Sequence, residues 1–105
     1  MIEKRSEERR EVNESAFMQL LNPVAPARVP VTIVNKSKRG MCIACHEFLP
    51  RGAEVRVFAG HLQFFGKISY CVALTRARGF RAGIEIAGRI QYPAHEFEPA
   101  KADSD

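Results

Sequence analysis

The sequence predicts an all-β domain of five or six short strands, closed as an antiparallel barrel or sandwich. Three observations predict it: apolar and polar residues alternate over several short runs, glycine and proline turns separate those runs, and no stretch sustains the spacing of a long helix. Closure is expected because it hides the unpaired edges that so small a sheet would otherwise expose. A chain of 105 residues with 46% hydrophobic content holds one domain with a modest core and has no room for two.

The elements follow in order. Residues 1–14 are dense in charge and are expected to form a flexible, exposed arm, with the barrel spanning 15–90 and an acidic tail over 91–105. Ser15 to Leu21 suits a strand or a short helix, since Phe17, Leu20, Leu21 and Val24 also match helical spacing; periodicity leaves both open. Pro23 and Pro26 break any regular element there, and Val29, Val31 and Ile33 then alternate with Pro30, Thr32 and Val34 as a strand. Met41 to Cys45 is apolar on both faces, which suits a buried strand ending near Glu47, and Leu49-Pro50-Arg51-Gly52 is a turn. Val55 and Val57 against Glu54 and Arg56 give a half-buried strand closed by Gly60. The longest alternation places Phe64, Ile68, Tyr70, Val72 and Leu74 on one face and Lys67, Ser69 and Thr75 on the other. After an Arg78-Gly79 turn, Phe80, Ala82, Ile84 and Ile86 oppose Arg81 and Glu85 in a final strand. Pro93 and Pro99 bracket only Ala94 to Glu98, so a carboxyl-terminal helix is expected to be short or absent.

The formal net charge of +4 is uneven, because both termini are net acidic and the predicted barrel is strongly basic. Such a field attracts nucleotides, nucleic acid or an acidic protein surface without choosing among them. No apolar run approaches the length of a membrane span and the chain opens on charged residues, so a cytoplasmic protein without membrane partners is expected. Three cysteines and no export signal predict reduced, mostly buried thiols.

Two polar motifs carry the chemistry. Arg5-Ser6-Glu7-Glu8-Arg9 is an RxxxR, and Asn35-Lys36-Ser37-Lys38-Arg39-Gly40 is an NxSxxG. An arginine fork matches phosphate oxygens or the O6/N7 edge of guanine, so two arginines four apart can grip a small dianion bearing purine rings. The side-chain oxygen of Asn35 can accept from guanine N–H groups, Ser37 offers a hydroxyl, and Gly40 permits close backbone approach. Together they ask for a guanine nucleotide.

The order and spacing of these motifs resemble the PilZ domain family, bacterial receptors of cyclic di-GMP. The resemblance covers roughly residues 4–86: Met41 to Cys45, Leu49 to Gly52, and Gly83 to Ile86 match the family's strand after the signature glycine, its turn, and its late glycine. It implies a six-stranded antiparallel β-barrel whose RxxxR arm wraps over a ligand held against the NxSxxG strand. By position, Arg5 and Arg9 would hold phosphates and guanine edges, with Asn35, Ser37 and Gly40 as the opposing wall. Lys4 stands where the family tunes how many ligand molecules bind, and Arg10 is a spare cation. Asn35 replaces the commoner Asp and gives up one charge-assisted acceptor, so lower affinity is implied. The family also implies output through a separate protein partner, in motility, polysaccharide synthesis or adhesion.

Rival chemistries fit less well. Cys42-Ile43-Ala44-Cys45-His46 has the form of a haem-attachment CxxCH, yet residues i and i+3 of a strand point to opposite faces. The same divergence argues against zinc on Cys42, Cys45, His46 and Cys71, so neither a metal nor a cofactor is expected. His61 and His95 have no nucleophile or carboxylate at instructive spacing, and no catalytic set emerges, which predicts a binding protein rather than an enzyme. Two alternatives remain: a PilZ-like protein adaptor that binds no nucleotide, and a small barrel stacking single-stranded nucleic acid on Phe64, Phe65 and Phe80. The intact motifs argue against the adaptor, and the fit of those rings to strand alternation, as core positions, argues against nucleic acid.

Overall fold

The computed structural model describes residues 10–22, 24, 25 and 27–91. Six strands appear in order: β1 (Arg10–Asn22), β2 (Val29–Lys36), β3 (Gly40–Cys45), β4 (Glu54–Ala59), β5 (Leu62–Ala73) and β6 (Phe80–Gln91). They pair antiparallel throughout and close as β1-β2-β3-β6-β5-β4, the closed six-stranded barrel that the resemblance implies. The described residues contain no helix, and none therefore that is long and apolar enough to cross a membrane.

Inward-facing side chains fill the lumen. Met18, Ile33, Met41, Ile43, Val55, Val57 and Ile68 are almost wholly excluded from solvent, and all but Met18 come from a run whose alternation or apolar content marks it as core. Glycines with positive φ mark two of the hairpin connections. Between Ala59 and Leu62, Gly60 adopts φ +63, and the β5–β6 connection turns at Gly79 with φ +104, both conformations that a Cβ disfavours.

The segment left open between strand and helix is strand. β1 starts at Arg10, so residues 10–14, which the charge density assigns to the arm, belong to the barrel and pair with β2, Arg10 opposite Lys36 and Glu11 opposite Asn35. A bulge between Glu11 and Glu14, with Asn13 at φ +47, interrupts the alternation, and Lys36 lies 3.5 Å from the Glu14 carboxylate. That pairing lets an acidic residue occupy a strand that its composition argues against. Residues 94–98, where a carboxyl-terminal helix is expected to be short or absent, lie outside the described residues.

β5 corrects a second expectation. Tyr70 and Val72 do not share the core face with Phe64 and Ile68; they are 43% and 51% exposed, because a register shift between Ile68 and Tyr70 reverses the parity of the strand. Cys71 turns toward the core instead. Tyr70 lies across Gly83 on the outer wall and reaches Cys42, with 3.6 Å between its hydroxyl and the thiol. A ring thus covers the bare backbone of a strand glycine.

Candidate functional site

Antiparallel pairing brings three pieces of chain to one end of the barrel: the start of β1, the β2–β3 turn and the late part of β6. The turn is held by its own bonds. The Ser37 N–H donates to the Gly40 carbonyl at 2.8 Å, the Ser37 hydroxyl donates to the same oxygen at 3.4 Å, and the Ile86 N–H ties the Arg39 carbonyl to β6 at 2.8 Å. Beside this turn opens a cavity of about 310 Å³, with Lys36, Ser37, Lys38 and Arg89 above an apolar floor that includes Phe64 and Ile86.

Charge converges on this mouth. Lys36 is partly neutralised by Glu14 and rests 5.5 Å from the centre of the Phe64 ring, while Lys38 and Arg89 are exposed. A flat, anionic molecule suits cations on the rim and an apolar base. Of the residues the motif singles out, Ser37 lines the cavity. Asn35 pairs with Glu11 and Cys42 and shares the outer wall with them, and Gly40 is buried at the start of β3 opposite Glu85. Among the described glycines positive φ occurs at Gly52, Gly60 and Gly79, so the Gly40 backbone is in a conformation open to other residues. Lys4, Arg5 and Arg9 lie outside the described residues; Arg10 opens β1.

Sequence reasoning passes over Lys36 and Lys38, which occupy variable positions of the motif, and over Arg89. The last strand is expected to end near Ile86 but runs on to Gln91, which carries Arg89 to the mouth. Plain alternation from Ile86 does not find it, because a bulge at Ala87 leaves Ile86 facing the mouth and turns Gly88 and Ile90 outward, so that Arg89 reaches the mouth.

The cysteines behave as the strand geometry predicts. Cys45 joins the core and Cys42 faces out beneath Tyr70, so the two thiols diverge across β3. No group of three or more His, Cys, Asp or Glu able to hold a metal occurs among the described residues. Burial, together with the neighbouring Cys71 thiol, pushes Cys45 from its ordinary 9.0 up to about 11, with a backbone hydrogen bond at Glu47 offsetting part of the rise. Iodoacetamide at pH 8 is therefore expected to label Cys45 far more slowly in the folded protein than in urea. Equal rates would show the thiol to be accessible and ionised. A folded pKa above the unfolded one means that the thiol's contribution to stability is complete below pH 9 and is lost as pH rises through 11.

A second cavity, about 360 Å³, lies at the opposite end among Met18, Leu20, Val29, Cys45 and Leu49, and is predominantly apolar. It lacks the convergent cations of the mouth. A scan against protein-family models finds no match to this chain, and searches of curated proteins and of solved structures find none either.

Proposed function

We propose that this protein is a cytoplasmic cyclic di-GMP receptor of the PilZ kind, which converts nucleotide occupancy into a changed protein surface. The observation that carries the reading is the pairing of RxxxR with NxSxxG, where Lys36, Ser37 and Lys38 of the second motif line a basic mouth and the chain bearing the first enters β1 opposite Lys36. In this reading Arg5 and Arg9 take phosphate and guanine edges, Asn35 and Ser37 supply the complementary polar contacts, and Gly40 keeps the strand start free of a Cβ. Lys38 and Arg89 add cations for the second phosphate. Charge-assisted bonds to a ligand offset the ordering of a charged arm, and a separate protein reads the closed face.

A second reading has one specific observation behind it. The Ser37 hydroxyl already donates to the Gly40 carbonyl, which is what a purely structural turn would use it for. A nucleotide-free adaptor would keep that bond and dispense with the arginines.

Calorimetric titration with cyclic di-GMP, GMP and a short oligonucleotide separates these readings. Saturable binding of cyclic di-GMP, tighter than of GMP, is expected; heat with the oligonucleotide alone, or with none of the three, rejects the receptor.

A further inference from the structure

The wall of the barrel opposite β3 carries an arrangement that the nucleotide reading does not use. On β4, Val55 and Val57 are fully buried, so the intervening Arg56 and the next residue, Phe58, face outward. Register then places Phe17 beside Phe58 and Phe65 beside Arg56, so three phenylalanines from three strands share one outer face with that arginine. Arg28, just ahead of β2, lays its guanidinium 4.0 Å from the centre of the Phe58 ring. Arg56 lies 5.7 Å from the same ring and 5.4 Å from that of Phe65.

Several features of this wall are those of a surface awaiting a partner. Phe17 is 51% and Ile90 is 41% exposed. A Cβ built at Gly88, which pairs with Phe65, would meet nothing within 4 Å, so the surface beside that ring is open. The Arg56 Nε–H is buried without an acceptor among the described residues, and neither arginine forms an ion pair there. An outward position does not require an arginine for packing. Nearby on β4, Glu54 stands opposite Lys67.

We propose that this face of β1, β4 and β5, with the adjoining Gly88 of β6, is a docking surface for an acidic segment of a partner protein, with Arg28 and Arg56 pairing its carboxylates while Phe17 at one edge and the open surface at Gly88 at the other, with β4 and β5 between them, each receive an apolar side chain. The stacking decides the kind of partner. A guanidinium lying over a phenyl face leaves its N–H edge as the open bonding direction, which a carboxylate takes in plane. The same guanidinium covers the ring face on which a nucleobase would have to stack, which disfavours single-stranded nucleic acid here. None of the residues that line the mouth carries this face, so the proposal does not rest on nucleotide binding there.

The test is a nuclear magnetic resonance titration of the full chain with a peptide of alternating Glu and Leu, its Gln/Leu counterpart, and oligothymidine of equal charge. Shifts confined to Phe17, Arg28, Arg56, Phe58, Phe65 and Gly88 with the acidic peptide, and absent with the neutral one, are expected. Binding should fall roughly fivefold or more in the double variant Arg28→Gln/Arg56→Gln. It should also fall in Phe17→Thr, an exposed position where loss of the fold is not at issue, and be unchanged in Arg51→Gln, a control cation in the β3–β4 turn. Acidic-peptide shifts centred on Lys38 and Arg89, tighter binding of oligothymidine to this wall, or no shift at all would overturn the proposal. So would shifts of these same resonances in Glu96→Gln/Glu98→Gln without added peptide, which would give the face to the chain's own acidic tail.

Discussion

Gly66→Ala is expected to lower folding stability by about 3 kcal/mol, the upper end of the usual cost of overpacking a tight site. A Cβ at Gly66 would run into the carbonyl oxygen of Glu85 and lie 2.8 Å from Ile84 Cγ2 and 3.1 Å from the Glu85 carbonyl carbon. Backbone cannot retreat here without loosening the β5–β6 ladder, in which Gly66 faces Ile86 and Lys67 faces Glu85. Gly83 offers a contrast, since the obstacle to its Cβ is the ring of Tyr70, a half-exposed side chain that can swing outward. Gly83→Ala is therefore expected to cost roughly 1 kcal/mol and to uncover Cys42. At Gly88 the added methyl meets nothing, and stability should stay within about 0.5 kcal/mol of the parent. Urea unfolding of the three variants checks the order. Equal losses at Gly66 and Gly88 would show that the register beside the Phe65/Gly66 shift differs from the one described.

Arg5→Ala and Arg9→Ala are each expected to weaken cyclic di-GMP binding by about 1–3 kcal/mol, the scale of one bidentate contact to guanine. The buried core cluster is drawn from Ala16 to Ile84, so far-ultraviolet circular dichroism is expected not to change. The double variant should bind more weakly than either single one, and Arg89→Gln should show a smaller loss, because an exposed cation at the rim acts largely through a screened field. Calorimetry on the four variants and the parent gives the comparison. Parental affinity in both single variants would remove the arginine pair from the site and leave the structural reading of the NxSxxG turn.

Much of the barrel was legible because strand alternation is a local property. Val31 and Ile33, Val55 and Val57, Ala82 and Ile84 each announce an inward face with a period of two, and all six are buried as that period requires. Turn chemistry was equally local, as at Gly60 and Gly79. The arm boundary was misplaced for the complementary reason: Glu11 and Glu14 look like solvent-exposed residues until Lys36, brought over by β2, gives Glu14 a partner.

By itself, then, the sequence determined the all-β class, most of the strands and the pair of polar motifs, all of which depend on neighbours a few residues apart. Only the tertiary structure decided which way Tyr70, Cys71 and Val72 face, because one residue inserted at a bulge reverses parity without marking the composition. Closure alone brought Arg89 to the Lys36–Lys38 turn and set Arg28, Arg56, Phe58 and Phe65 on one wall. Those are contacts between distant segments, and they exist only once register and barrel order have chosen which strands are neighbours.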